Sequence, residues 1–274
     1  MPRKGIMLAR PLEERILLGW PVPWICQPKL DGIRCRVLQT SNSGPLLVTS
    51  EENPIFWLDH IETAVSKLPP LEYDGEMYCH GMPLEEINSI CSTQRMCHPR
   101  AHEMQFHIFD YVSSDPQVAR TGTLNTIAAD PRFAHPLAYV RPQLANNLDD
   151  VWSHYNHYLS LGYEGIIVRD HRPGYAPLKR GCMMKFKPKK EDIYPCVGWK
   201  EEISIEGNPK GRIGALVLRT DAGAEFSVAG LNDQQKKDFW DARDQLAGLD
   251  IWIGYQAITS TNRVPKFATF IKLA

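Results

Sequence analysis

Lys29, Asp31, Gly32 and Arg34 fall within the run Lys29-Leu30-Asp31-Gly32-Ile33-Arg34, and these residue types in this order can act on phosphates. The lysine is a candidate nucleophile, and the carboxylate two residues on is a candidate metal or hydroxyl partner. The glycine permits a tight turn, and the arginine can clamp an anion. A protonated lysine is a poor nucleophile: from a reference pKa of about 10.4, deprotonation near neutral pH costs on the order of 4 kcal/mol. A site that uses it must lower that pKa with neighbouring cations or partial desolvation. The same hexamer also fits a strand ending in a surface turn, with Lys29 and Arg34 solvated.

Short runs further along carry the partners such chemistry needs. They are Asp74-Gly75-Glu76, Phe109-Asp110-Tyr111, Glu164-Gly165-Ile166-Ile167-Val168-Arg169, Lys185-Phe186-Lys187 and Arg263-Val264-Pro265-Lys266-Phe267. Periodicity indicates the elements that must position them. Period-two patterns with β-branched residues predict strands over 33–38, 46–49, 73–78, 106–111 and 165–169. Each motif then lies on a strand or beside one, which suits a pocket between sheets. Lys185 and Lys187 alternate on a predicted strand and so point the same way. Phe106 and Phe109 point to opposite faces of theirs, so only one can face a ligand. Helical spacing fits 56–68, 83–92 and 149–161, the last capped by Asn147 or Asp149. Residues 113–136 are rich in Pro, Ala, Thr and Asp with weak periodicity, and they read as a mobile surface excursion.

The composition changes after Lys187-Pro188-Lys189-Lys190-Glu191-Asp192, a run with the charge and proline of an interdomain linker. Beyond it, short β-rich runs at 195–200, 214–219, 225–228 and 251–258, with one helix at 233–246, fit a small OB-type barrel. Neither a Walker-type glycine run nor a dinucleotide fingerprint is present, so a bound nucleotide is not held by a P-loop.

At 274 residues the chain can hold two domains. Its 43% hydrophobic and 23% charged content is that of a soluble globular protein, and no apolar run approaches the ~20 residues needed to span a bilayer. The N-terminus lacks an apolar core of signal-peptide length, so a cytoplasmic protein is expected. Seven cysteines without zinc-ligand spacing read as free thiols. A net charge of -1 excludes a uniformly basic coat, so any binding to a nucleic-acid backbone must be local. One such locality is the run of Arg169, Arg172, Lys179, Arg180, Lys185, Lys187, Lys189 and Lys190 against the single acid Asp170.

In order and spacing, the six runs resemble the six motifs of the covalent nucleotidyltransferases, and the last resembles that of the ATP-dependent DNA ligases. The resemblance implies an α+β architecture: an ATP-grasp-like, mixed-sheet nucleotidyltransferase domain over 1–189, followed by a C-terminal OB-fold β-barrel over 190–274. It implies that Lys29 attacks the α-phosphate of ATP to form a lysyl-AMP, with Lys185 and Lys187 lowering the Lys29 pKa and neutralising the phosphate. Gln27, Arg34, Glu76, Phe109 and Glu164 complete the nucleotide contacts. Arg34 clamps ribose or phosphate, and Phe109 stacks on the adenine. Glu76 and Glu164 hold the ribose hydroxyls and a Mg²⁺. Asp31 positions either the attacking 3′-hydroxyl or a metal. Arg263 and Lys266 orient the leaving pyrophosphate. The implied partner is nicked double-stranded DNA, with no membrane role, and the implied state is a monomer. No separate DNA-binding domain is expected before Pro28, and 203–213 is too short for a long inserted clamp.

One departure from the family pattern concerns the nick. Where ligases carry a Ser-Arg pair that grips its 5′-phosphate, this chain has Ser50-Glu51-Glu52-Asn53. Another cation, such as Lys179 or Arg180, must take that role, or the nick is read differently. An RNA ligase, an mRNA-capping guanylyltransferase and an inactive nucleic-acid-binding OB protein are the competing readings. The run from Arg263 to Phe267 looks less like the first two, and retention of the other motif residues counts against the third.

Overall fold

The alternating patterns of the first half form strands that build two five-stranded sheets. The computed structural model describes residues 5–40, 44–177, 181–188, 190–255, 257–259, 263–266 and 268–274. The chain divides into two units, Met1–Lys187 and Pro188–Ala274. In the first unit the strands are β1 (Arg10–Pro11), β2 (Trp24–Lys29), β3 (Ile33–Thr40), β4 (Gly44–Thr49), β5 (Tyr73–Tyr78), β6 (Gln105–Tyr111), β7 (Leu137–Tyr139), β8 (Gln143–Ala145), β9 (Gly165–Arg169) and β10 (Met183–Phe186). The helices are α1 (Glu14–Leu17), α2 (Asp59–Val65), α3 (Leu84–Ser92), α4 (Gln117–Ala128) and α5 (Leu148–Ser160). One sheet has the order β1-β10-β9-β2-β8 and the other β4-β3-β5-β6-β7.

Register decides which side chains share a face. In the first sheet Lys29 lies opposite Gly165 and Gln27 opposite Ile167, which in turn faces Lys185 on β10. These residues therefore share one face. The alternate residues Trp24, Cys26, Ile166, Val168 and Met184 form the other face, buried against Val151, Tyr155 and Tyr158 of α5. Asn147 caps that helix, its side chain accepting from the Asp150 N–H at 2.8 Å. In the second sheet Arg34 lies opposite Glu76, and Glu76 opposite His107. Its reverse face carries Val37, Met77, Phe106 and Ile108, all without exposed surface, in a core shared with residues of α2 and α3. Each such side chain stabilises the fold by roughly 1.5–3 kcal/mol relative to exposure.

Residues 113–136 are not a surface excursion. They contain α4, whose buried face is Gln117, Arg120, Leu124 and Ile127. Two of these four are polar, so the face shows little hydrophobic periodicity. Arg120 is fully buried because Asp110 of β6 pairs with it. Nor is the charged run after Pro188 a linker at its far end. Lys190, Glu191 and Asp192 open the long strand β11 (Lys190–Ile203) and pair with Tyr255, Gly254 and Ile253. A ladder needs only backbone groups, so exposed charged residues can enter it.

The rest of the second unit is β12 (Pro209–Arg219), β13 (Glu225–Val228), α6 (Asp233–Asp241), β14 (Asp250–Tyr255), β15 (Ala257–Ile258), β16 (Pro265–Lys266) and β17 (Thr269–Leu273). The main sheet runs β13-β12-β11-β14-β17, and β15 pairs with β16. Register shifts in β11 between Cys196 and Gly198 and again near Glu201 mark bulges that bend a strand of this length. Among the described residues the two edge strands meet only through an isolated bridge, Ala229 to Thr269. The barrel expected from sequence is thus an OB-like sheet without a closed ladder. The helix ends at Asp241 rather than 246, with a separate 3-10 turn at Arg243–Gln245. Its start is fixed by a capping box between Asn232 and Gln235.

Candidate functional site

β2 ends at Lys29, and the chain must reverse within three residues to enter β3. Gly32 makes this possible: a Cβ there would lie 2.3 Å from the Met77 carbonyl oxygen, so only glycine lets the turn pack on β5. The turn leaves Asp31 exposed and delivers Arg34 opposite Glu76.

Glu164 precedes β9. Its backbone N–H donates to the Lys29 carbonyl at 3.0 Å. Its carboxylate accepts from the Lys29 ammonium and, on the other oxygen, from the Lys187 ammonium at 2.6 Å. The three side chains are 18–20% exposed, so they remain reachable from solvent. Burial opposes ionisation of Glu164, but Lys29 and Lys187 outweigh it and hold its carboxyl below the usual range. Gly165 permits the approach of β9 to β10, because a Cβ there would meet the Phe186 carbonyl oxygen at 2.1 Å. Glu76 behaves oppositely. Burial pushes its carboxyl up to about 7; Arg34 and Lys29 oppose the rise, whereas Asp74 and Glu164 add to it.

Arg34 does not reach freely into the space between the sheets. Its Nε and Nη2 donate to the two oxygens of the fully buried Asp74 at 2.6 and 2.5 Å. Asp74 also accepts from the Tyr175 hydroxyl at 2.7 Å. The Arg34 guanidinium lies 4.5 Å from the centre of the Phe109 ring and that of Arg169 lies 5.4 Å from it. Phe106, by contrast, is buried in the core behind the sheet. Gln27 is also buried, its amide donating to the Val140 and Phe109 carbonyls at 2.9 and 3.3 Å, while its oxygen accepts from Arg169 at 2.9 Å.

Behind Phe109 lies a polar network that the sequence reading did not single out. Asp110 accepts from Arg120 at 2.8 and 3.1 Å and from Arg169 at 3.0 Å. The Gln117 side-chain oxygen accepts from the same two arginines at 2.6 and 3.3 Å. Its signal in sequence is the aspartate of the Phe109 run together with an arginine on a weakly patterned helix, which no local spacing connects.

Lys185 sits half-buried on β10, on the face shared with Lys29. Arg263 is exposed in the second unit, and Lys266 lies in β16 of that unit. Lys179, Arg180 and Phe267 lie outside the described residues. Among the described residues of the basic run, Arg169 is paired with Asp110, Arg172 with Asp170 and Lys187 with Glu164, while Lys189 also lies outside the described residues. Two of these acids, Asp110 and Glu164, are remote in sequence from the cations they pair with, whereas Asp170 lies two residues from Arg172.

Comparison with known proteins points the same way as the site. The family described as DNA ligase OB-like domain matches residues 206–273. Over 177 residues the chain is 27% identical to the DNA ligase of African swine fever virus (strain Badajoz 1971 Vero-adapted), covering 60% of this chain and 41% of that one. The chain thus spans about two fifths of the length of the curated relatives it matches. Its fold resembles that of a Lig E DNA ligase, with a TM-score of 0.80 at 20% identity over 98% of this chain and 99% of the other. It also resembles the Chlorella virus DNA ligase-adenylate, with a TM-score of 0.54 at 23% identity over 100% and 99%. At these identities the likeness to solved structures is one of fold.

Proposed function

We propose that the chain is an ATP-dependent DNA ligase that seals nicks in double-stranded DNA through a lysyl-AMP intermediate. The observation that carries this reading is the grouping of Lys29, Glu164 and Lys187 where β2 ends, β9 begins and β10 ends, with a second carboxylate, Glu76, influenced by Lys29 and Glu164. The first unit acts as the adenylation domain. The second acts as the OB domain, its edge strands meeting at the isolated Ala229–Thr269 bridge without a closed ladder.

The deprotonated Lys29 nitrogen attacks the α-phosphorus of ATP. A P–N bond forms, the bond to the bridging oxygen breaks, and pyrophosphate leaves. Lys187, already beside the shared carboxylate, adds positive charge where the phosphoryl group gains negative charge. Phe109 offers an aromatic face to the base. Arg34 has donors beyond the two that Asp74 engages, and these can reach ribose or phosphate. A 5′-phosphate oxygen at the nick then attacks the same phosphorus and frees Lys29. The 3′-hydroxyl finally attacks the 5′-phosphorus, and AMP departs.

Among the described residues no group of three or more His, Cys, Asp or Glu gathers to hold a metal. Mg²⁺ is commonly held by one or two carboxylates together with substrate phosphates, and Glu76 with Glu164 fits that donor set. Bound there, it would offset phosphate charge.

The test is incubation with labelled ATP or GTP and Mg²⁺, followed by denaturing electrophoresis and intact mass. A covalent AMP adduct is expected, and it is lost in Lys29→Ala. An adduct surviving that substitution removes Lys29 as the nucleophile, and a GMP adduct as the main product moves the chain to the capping enzymes.

A further inference from the structure

The network behind Phe109 holds more positive than negative charge. Arg120 and Asp110 have no exposed surface, and Gln117 and Arg169 are 2–3% exposed. Two guanidinium groups therefore share one carboxylate in the interior, with the neutral Gln117 oxygen accepting one bond from each and the neutral Gln27 oxygen one from Arg169. The nearby carboxylates are already engaged, Asp74 by Arg34 and Asp170 by Arg172. The other hydrogen bonds of Arg120 are to the Asp115 and Pro173 backbone carbonyls and its ring neighbour is Tyr175, none of which carries a net charge, while the Asp115 carboxylate is exposed and accepts from the Ser113 hydroxyl. An unmatched buried charge is costly, and a carboxylate at Gln117 would remove the mismatch at nearly constant volume.

We infer that Gln117 keeps the Arg120–Asp110–Arg169 network one carboxylate short, so that the unmatched positive charge behind Phe109 favours a polyanionic nucleotide in front of it. Arg169 is the link, since its guanidinium lies 5.4 Å from the Phe109 ring centre. Gln117 is a positioning residue that acts through the arginines and touches no substrate. The inference rests on the reading of this pocket as an ATP site. A unit charge at about 10 Å from a unit anion, at an effective dielectric of about 20, changes affinity by roughly tenfold. The network thus trades stability for nucleotide affinity.

The test is Gln117→Glu in the full chain. ATP and adenosine binding are measured calorimetrically without Mg²⁺, so that no covalent transfer intervenes, and the melting temperature is recorded. The expected result has three parts: a higher melting temperature, ATP binding weakened by roughly fivefold to tenfold, and adenosine binding unchanged. Equal weakening of ATP and adenosine would mean that the network acts by shape, and would overturn the inference. A lower melting temperature would overturn it as well, because the interior would then not be short of a carboxylate. Gln117→Leu adds no charge, so it should lower stability without separating ATP from adenosine; a selective loss of ATP there also contradicts the inference. If the unaltered protein binds no ATP and forms no adduct, the ligase reading itself falls and this inference falls with it.

Discussion

The Lys29 ammonium donates to the Glu164 carboxylate across neighbouring strands, and the backbone N–H of Glu164 donates to the carbonyl of Lys29. The candidate nucleophile is thereby tied at both its backbone and its side chain to one residue, which also holds Lys187. Removing that carboxylate leaves two ammonium groups without their shared counter-charge.

Glu164→Gln should therefore lower self-adenylation by at least tenfold. Its folded carboxyl pKa lies below the ordinary value, so its contribution is present above the unfolded pKa and is lost as pH falls through the folded one. The substitution should remove on the order of 1–2 kcal/mol at neutral pH and almost nothing once the carboxylate is protonated. Urea unfolding across a pH series reads this, and a pH-independent difference would rule out the ionic explanation.

Glu76 gives the opposite sign. With its carboxyl raised to about 7 by burial, the folded state binds a proton that the unfolded state releases at lower pH. Stability should fall as pH rises from the ordinary carboxylate range to about 7 and then level off, by on the order of 1–3 kcal/mol. Glu76→Gln should flatten this dependence and raise stability at pH 8. In the same variant the rise of adenylation rate with pH near 7 should weaken, if the ionised carboxylate is the form that serves the nucleotide.

Among the described residues Asp110 is the one carboxylate of the buried network, accepting from both Arg120 and Arg169. Asp110→Asn should cost about 3–5 kcal/mol, the range for stranding a buried charge. Denaturant titration measures it, and a loss below ~1 kcal/mol would show that water relieves the arginines.

Gly165→Ala places a Cβ against the Phe186 carbonyl, 2.1 Å away in the present geometry. The strands must part, at roughly 1–3 kcal/mol. The movement separates Glu164 from Lys187, so adenylation should fall further than stability alone explains. Activity measured well below the melting temperature, with the folded fraction checked by circular dichroism, distinguishes the two effects.

The strands bearing the Arg34, Glu76 and Phe109 motifs were legible in the sequence because apolar side chains alternate along them, and the strand after Glu164 because it is a short β-branched run. That alternation places Phe106 and Phe109 on opposite faces, and the structure puts Phe109 beside the arginines and Phe106 in the core. α4 was not legible, because half of its buried face is Gln117 and Arg120, and a buried arginine looks like a solvated one until its acid is known. The ionic pairs were hidden for the same reason. Lys29 and Glu164 stand far apart in the chain, as do Arg34 and Asp74, and Asp110 and Arg169. Only strand register and the approach of the two sheets bring each acid to its base. The sequence by itself determined which residues can do chemistry and which strands carry them. The tertiary structure decided which charges are neutralised, which remain unmatched in the interior, and which groups solvent can reach, because long-range pairing in a low-dielectric interior sets these and composition does not.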